Sequence, residues 1–300
     1  MNRLLIGLVG GAVCFAFSGV AEALYEARPL TLEGAFTPGI EGPVGDLNDH
    51  VFAVNYGEQH TIGRLDSEGV GEVFVRLPGN SIGNGLRIGL DGWMYVADYT
   101  QHNVLRIDPL SRSIMVHAHE PRMNQPNDLT ILKDSTLYAS DPNWAEETGQ
   151  VWRIDPKGVA TLVAPDMGTT NGIEVSPDEK HLYVNESVQL NVWVFDILPD
   201  RSLENKRLLK KFPDYGFDGM RCDVAGNLYI TRYGKGTVVK VSPKGEVLLE
   251  IDVLGMKPSN ICFGGSDGRS AFVTEVTKTR LVTFRVDRPG NAWWNLKNIP

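Results

Sequence analysis

The sequence predicts an all-β fold, a six-bladed β-propeller with four-stranded blades, and two observations lead to it. One pattern of short apolar strands and turns occurs six times in the 300 residues, and an aromatic residue marks the second strand of each copy. These aromatics stand at intervals of 43, 43, 45, 46 and 43 residues: Phe52, Tyr95, Tyr138, Tyr183, Tyr229 and Phe272. No segment has a convincing helical period, because a Gly or Pro interrupts nearly every long stretch. A repeat of roughly 40–50 residues built from short strands is the signature of a propeller blade.

The blades are expected to begin near residues 41, 84, 127, 171, 218 and 260. Two terminal segments compete to supply the missing outer strand of the last blade. One is "ARPLTLEGAF" at residues 27–36, which has alternating apolar residues, and the other is "NAWWNLKNIP" at residues 291–300. The sequence alone leaves this choice open.

Composition narrows the class of function. The chain has a net charge of −8 and 42% hydrophobic residues, enough for a large core. The acidic balance and the absence of any Lys/Arg run longer than two residues argue against a nucleic-acid partner. A small-molecule substrate is the expected partner, and the oligomeric state is left open.

The N-terminus predicts export. Arg3 is followed by an uncharged stretch from Leu4 to Val20, and Ala21-Glu22-Ala23 fits a signal-peptidase site. We therefore expect a signal peptide at residues 1–23 and a mature propeller at residues 24–300, periplasmic or extracellular and without stable membrane association. An uncleaved anchor is the alternative, since the apolar run approaches the ~18 residues that a spanning helix needs.

The two cysteines of the mature chain, Cys222 and Cys262, lie in apolar strand-like runs, and neither spacing suggests a metal site. We interpret them as buried free thiols. A disulfide between adjacent strands is the alternative, because export permits one.

A ring of oxygen-bearing side chains is predicted at one mouth of the propeller channel. Six polar residues stand at the start of the six first strands, which line the axis; this axial ring consists of Glu41, Asn84, Asn127, Asn171, Asp218 and Asn260. Asn and Asp are common in turns, but Glu is not a turn residue. Converging oxygens with two carboxylates call for a hard cation, and Ca²⁺ accepts 6–8 oxygens at about 2.3–2.6 Å. Ca²⁺ is therefore expected, with Mg²⁺ or another divalent ion as the alternative.

The loops between second and third strands are expected to surround this ring and to form a small-molecule pocket. Their aromatic and charged residues are candidates for substrate contacts, although each one fits a solvated rim equally well. Together with two members of the axial ring, the candidate substrate-binding residues are Asn84, Asn127, Trp144, Arg232, Tyr233 and Glu275.

Four segments resemble markers of the gluconolactonase and regucalcin (senescence marker protein) family of calcium-dependent six-bladed propellers. They are "EGP" at 41–43, "QPNDLTILKDSTLYASDPNW" at 125–144, "TTNGIEVSPDEKHLYVNES" at 169–187 and "FDGMRCDVAGNLYIT" at 217–231. The resemblance implies metal ligation by Glu41, Asn127, Asn171 and Asp218, with Asn127 alternatively on the substrate. It also implies that Asp218 is the catalytic base. The axial ring and the family pattern select the same residues.

The sequence departs from the regucalcin type at Gln125, where an arginine stands two residues before "ND" in that type. This favours a bacterial gluconolactonase form and disfavours a phosphorylated or acidic sugar lactone. The chain also resembles diisopropylfluorophosphatase and the paraoxonases in architecture, but the pocket histidines of those enzymes have no clear counterpart here.

The leading hypothesis is a metal-dependent hydrolase of a lactone, in which Asp218 takes a proton from water and Glu186 or Glu275 is the alternative base. A rival hypothesis is a non-catalytic propeller that binds a ligand or protein, with Ca²⁺ as a structural plug. A third is an organophosphate or aryl-ester hydrolase. Fold alone does not separate them, whereas an open metal position that faces a pocket favours an enzyme.

Overall fold

The computed structural model describes residues 23–299, and the predicted signal peptide lies almost wholly outside this range. Six four-stranded antiparallel sheets confirm the six-bladed propeller. The first strand of the described residues is β1 (Arg28–Pro29). Blade 1 contains β2 (Phe36–Gly45), β3 (Val51–Tyr56), β4 (Thr61–Leu65) and β5 (Gly71–Arg76). Blade 2 contains β6 (Gly83–Ile88), β7 (Met94–Asp98), β8 (Asn103–Ile107) and β9 (Ile114–His119).

The remaining blades repeat this order from the channel outward. Blade 3 contains β10 (Leu129–Ile131), β11 (Leu137–Asn143), β12 (Thr148–Ile154) and β13 (Ala160–Met167). Blade 4 contains β14 (Thr170–Val175), β15 (His181–Glu186), β16 (Asn191–Ile197) and β17 (Leu203–Lys211). Blade 5 contains β18 (Met220–Cys222), β19 (Leu228–Arg232), β20 (Thr237–Val241) and β21 (Val247–Asp252). Blade 6 contains β22 (Pro258–Gly264), β23 (Ser270–Glu275) and β24 (Arg280–Arg285).

The N-terminal segment supplies the outer strand of blade 6. β1 pairs antiparallel with β24, with Arg28 opposite Thr283, and so joins the two ends of the chain in one sheet. Closure of this kind leaves few free strand edges. The competing segment at residues 291–300 instead forms helix α1 (Asn291–Lys297), so the expectation that no segment is helical is wrong at this one place. Trp293 and Leu296 are buried on one face of α1, where packing outweighs the short length of the helix.

The core lies between neighbouring blades. All six second-strand aromatics are buried, and one cluster joins Phe52 and Phe74 of blade 1 to Met94 of blade 2. Another joins Tyr229 of blade 5 to Phe263 of blade 6. Burying a large apolar side chain stabilises the fold by roughly 1.5–3 kcal/mol, so these repeated contacts fix each blade against the next.

The central channel has one closed end and one open end. At the closed end α1 packs beneath the innermost strands, and its residues Ala292 and Trp293 line small cavities with Arg87 and Glu174. Cys222 and Cys262 lie here as buried free thiols, as the first of the two interpretations expects. No helix within residues 23–299 is long and apolar enough to cross a membrane.

Candidate functional site

The open end of the channel widens into a cavity of about 320 Å³, and the axial ring lies at its floor. Five of the six ring residues line this cavity: Glu41, Asn84, Asn127, Asn171 and Asp218. Each stands at or just before an innermost strand, because every blade presents the start of its first strand to the same mouth. The volume is at the lower end of the roughly 300–1,000 Å³ that small-molecule sites occupy.

Two carboxyl groups from blades 1 and 5 meet in this floor. Desolvation by burial raises the pKa of Asp218 well above its usual range, and the charge of Glu41 and a hydrogen bond with it raise the pKa further. Burial likewise raises the pKa of Glu41, opposed by hydrogen bonds that its carboxylate accepts from Asn260 and Gly42. Two anionic groups in contact favour a bound positive charge between them.

Two amide oxygens of the ring are buried without a hydrogen-bond partner, Oδ1 of Asn127 and Oδ1 of Asn171. The orientation of the Asn171 amide is fixed by a hydrogen bond that its nitrogen donates. Its Nδ2 donates to Oγ of Ser187 at 3.0 Å, and that hydroxyl donates to the carbonyl oxygen of Phe217 at 2.7 Å. Buried polar atoms are nearly always paired, so two unpaired oxygens in one floor indicate that they receive a ligand.

The other two members of the ring are already engaged. Nδ2 of Asn84 donates to the carbonyl oxygen of Asn127 at 3.0 Å. Nδ2 of Asn260 donates to Glu41 at 2.9 Å, and its Oδ1 accepts from the backbone N–H of Ile261 at 2.9 Å. Both amides therefore support their neighbours, and the oxygen of Asn260 is committed to a backbone N–H.

The residues present fit a hard divalent cation. Two carboxylates and two free amide oxygens form an all-oxygen set of the kind that Ca²⁺ prefers. Within residues 23–299 no group of three or more His, Cys, Asp and Glu side chains could hold a metal ion, so the amides are essential to this set. The four residues of this set are Glu41, Asn127, Asn171 and Asp218.

The walls of the cavity are neutral. Of the predicted substrate contacts, Trp144 and Tyr233 line it together with Asn84 and Asn127. Tyr99, Asn55 and Gln59 complete the polar wall, and Glu41 and Asp218 are the only charged residues in the lining. A lining of amides and aromatic rings without a cation suits an uncharged polyhydroxyl compound.

The structure does not bring Arg232 and Glu275 to the cavity. Arg232 is only 1% exposed, stacks over Phe212 and donates to the carboxylate and carbonyl oxygens of Asp214. Glu275 is buried, and its carboxylate accepts from the backbone N–H groups of Lys257 and Lys278 at 3.2 and 2.9 Å. Strand alternation explains the difference, because the next residue along the chain faces the cavity in both cases.

These two residues belong to a second repeating set at the ends of the second strands. The loop-binding ring consists of Asn55, Asp98, Asp141, Glu186, Arg232 and Glu275. Each member hydrogen-bonds a residue two to four positions before the axial-ring residue of its own blade: Gly39, Ser81, Asn124 with Gln125, Gly168, Asp214 and Lys257. The loop-binding ring therefore holds the segments that place the axial ring.

The sequence interpretation did not single out a charged network directly below the axial ring. Asp128 is fully buried and pairs with Arg87 at 3.4 Å and with Arg221 at 2.8 Å, and Arg87 also contacts Glu174 at 3.3 Å. Two positive and two negative side chains balance there. A signal was available in the sequence, since three of them stand three positions after an axial-ring residue: Arg87, Glu174 and Arg221.

Comparisons with a family model and with a curated protein point to the same family. Residues 41–277 match the family model described as SMP-30/Gluconolactonase/LRE-like region. A gluconolactonase from Zymomonas mobilis is 32% identical over 237 residues, which cover 70% of this chain and 65% of that relative, slightly less than two thirds of its length.

Two solved structures share the fold. A gluconolactonase from Xanthomonas campestris gives a TM-score of 0.74 at 22% identity, with coverage of 88% of this chain and 91% of that chain. A regucalcin from Agrobacterium tumefaciens, described as a calcium-binding protein, gives 0.74 at 20% identity, with coverage of 91% and 97%.

Proposed function

Because the chain belongs to the SMP-30/gluconolactonase/LRE-like family, we propose that it hydrolyses a small, uncharged sugar lactone with the help of a bound divalent cation. The observation that carries this proposal is the pair of unpaired amide oxygens beside two facing carboxyl groups, at the floor of a neutral cavity. The gluconolactonase relative supports the reaction class. The all-oxygen donor set and the calcium-binding structural neighbour support Ca²⁺ as the ion.

Glu41, Asn127, Asn171 and Asp218 would hold the cation. When bound, such an ion polarises the ester carbonyl and stabilises the negative charge that develops on its oxygen. Ser187 keeps the oxygen of Asn171 turned toward the centre, and Asn260 does the same for the carboxylate of Glu41. These contacts pre-orient the donor atoms before a ligand arrives.

Asp218 is the proposed general base. Its carboxylate accepts a proton from water as the water oxygen bonds to the carbonyl carbon. The bond between that carbon and the ring oxygen then breaks, and the ring oxygen takes the proton held by Asp218 to become a hydroxyl. One water is consumed, and a hydroxy acid is the single product.

The alternative bases, Glu186 and Glu275, are engaged in hydrogen bonds within the protein. Glu186 accepts from the backbone N–H of Gly168 at 2.7 Å and from Asn191 at 3.0 Å, and Glu275 is held in the same manner by backbone N–H groups. Neither lines the cavity, which favours Asp218.

The engagement of Asn260 argues for an enzyme over a plug. A cation enclosed by all six ring residues would have no place for a substrate oxygen. Both polar atoms of the Asn260 amide are committed to protein partners, so the ring does not enclose the ion completely and leaves a position that faces the cavity.

A screen of sugar lactones, aryl esters and organophosphates tests the proposal, run with Ca²⁺, with Mg²⁺ and after chelation. We expect hydrolysis of a neutral aldonolactone above its spontaneous rate, lost on chelation and restored by Ca²⁺. Calcium binding without hydrolysis of any compound would favour the plug, and a preference for esters or organophosphates would favour the third hypothesis.

Export remains part of the proposal, since residues 1–22 lie outside the described range. N-terminal sequencing of the protein from its native host should find a chain that begins near Leu24. An intact Met1 in membrane fractions would support an anchor instead.

A further inference from the structure

A second recess adjoins the catalytic cavity at its rim. This rim groove has a volume of about 440 Å³ and is lined by His102, Met123, Asn124, Gln125, Pro142, Asn143, Trp144 and Ala145. Trp144 also lines the central cavity, so its indole forms the boundary between the two spaces. The side chain is 40% exposed, although an aromatic ring of this size is usually largely buried.

The groove offers hydrogen-bonding groups without any charge. Its polar side chains are three amides and one imidazole, and no Asp, Glu, Lys or Arg lies in the lining. Oδ1 of Asn143 accepts from the backbone N–H of Glu146 at 3.3 Å, which fixes one wall. Two polar atoms remain buried without a partner, Oε1 of Gln125 and Nδ1 of His102. Such atoms call for a ligand that brings its own donors and acceptors.

The groove is also preformed. The carboxylate of Asp141 accepts from the backbone N–H groups of Asn124 and Gln125 at 3.0 and 2.6 Å, and it accepts from the indole of Trp152 at 2.9 Å. The backbone that carries Gln125 is therefore fixed while its side-chain amide is free to bind. A rigid backbone lowers the entropic cost of binding.

We propose that the rim groove is a subsite for a second, uncharged sugar residue, so that the enzyme accepts lactones of glycosylated aldonic acids. A pyranose ring has an apolar face of C–H groups, which packs on an indole, and a rim of hydroxyls, which pairs with amides. The lactone ring occupies the central cavity, and the attached sugar crosses Trp144 into the groove. This inference rests on the proposed lactone hydrolysis and adds the size and class of the substrate.

The test compares D-glucono-1,5-lactone with the 1,5-lactones of 4-linked and 6-linked glucosyl-gluconic acid. At least one disaccharide lactone should show a kcat/KM about tenfold higher than the monosaccharide, equivalent to roughly 1.4 kcal/mol, mainly through a lower KM. Gln125→Ala should reduce this advantage several-fold. The matched control is Gln101→Ala, an exposed glutamine outside both linings, which should leave the advantage intact.

The outcomes separate the two proposals. Hydrolysis of gluconolactone with no advantage for either disaccharide lactone overturns the subsite and leaves the lactonase proposal standing. If no lactone is hydrolysed, the lactonase proposal fails, and calorimetry with the two disaccharide aldonates tests the groove alone. Binding that Gln125→Ala weakens and Gln101→Ala preserves then supports a sugar site, whereas no binding overturns it.

Discussion

The axial ring and the loop-binding ring at the open end of the channel repeat once per blade, but they differ in how their side chains are hydrogen-bonded. In the axial ring, two amide oxygens have no partner and two carboxyl groups, one buried and one half-buried, face each other. In the loop-binding ring, each of the four carboxylates accepts at least two hydrogen bonds. Both rings carry polar residues once per blade, so periodicity alone does not tell them apart. Pairing does, because the side-chain oxygens of the loop-binding ring are hydrogen-bonded and stabilise the fold, whereas the unpaired amide oxygens of Asn127 and Asn171 are available to a ligand.

The largest expected effect comes from a loss of charge in the axial ring. Asp218→Asn keeps the size of the side chain and an oxygen donor but removes the proposed proton acceptor. We expect turnover to fall by about 10²–10⁴-fold, the range of a positioned base, at Ca²⁺ concentrations that saturate the site. The metal-free protein should not be less stable, since the substitution removes repulsion with Glu41. Full recovery of activity at high Ca²⁺ would make Asp218 a ligand only.

The next largest effect is expected from loss of the hydroxyl that orients Asn171, a proposed cation ligand. Ser187→Ala removes the hydroxyl that binds Nδ2 of Asn171 at 3.0 Å. Loss of a group that orients a metal ligand typically weakens metal affinity 10–100-fold, so calorimetry should find Ca²⁺ bound more weakly by that factor. Ser111→Ala, on an exposed turn, is the control that should bind Ca²⁺ as the unmodified protein does. Equal affinity in both variants would remove Ser187 from the site.

The same chemical change in the loop-binding ring should affect stability instead. Asp98 is fully buried and accepts from Ser81 at 2.7 Å and from Asn103 at 2.9 Å. Asp98→Asn should lower the free energy of unfolding by about 1.5–3 kcal/mol, the value of a hydrogen bond to a charged group. Denaturant titration measures this loss. Turnover per folded molecule should remain close to that of the unmodified protein, because Asp98 supports the blade of Asn84, which is not among the four proposed cation ligands.

The smallest effect on activity is expected for the alternative bases. Glu186→Gln and Glu275→Gln should reduce stability, since both carboxylates accept backbone hydrogen bonds. Turnover measured below the lowered unfolding temperature should change little, because the amide oxygen of glutamine can still accept from the N–H of Gly168 or Lys257 and keep the adjoining segment in place. A fall comparable to that of Asp218→Asn would transfer the role of base to the loop-binding ring.

The sequence was sufficient for the fold because a propeller repeats its signals. The six aromatic residues and the turn residues between strands each predict the same six blades. Helix α1 was missed, since seven residues with buried Trp293 and Leu296 are too few for a period to be recognised. Its stability comes from packing under the channel, which no local pattern encodes.

The sequence was less informative about the site, for a related reason. Glu41 and Asp218 were identified because they carry charge at a repeating position, and Glu41 also because turns rarely use Glu. Arg232 and Glu275 were assigned to the pocket because their loops lie at the correct mouth, but strand alternation turns them away from it. The free amide oxygens of Asn127 and Asn171 appear only when the partners of every buried atom are known.

The central claim is that the axial ring, and not the loop-binding ring, binds a divalent cation. Calorimetric titration of chelator-treated protein with Ca²⁺ tests it most directly, on the unmodified chain, Glu41→Gln with Asp218→Asn, and Asp98→Asn. The account predicts one site per chain, abolished or greatly weakened in the double variant and retained in Asp98→Asn. Stoichiometric binding that survives the double variant, or no binding to the unmodified protein, would contradict it.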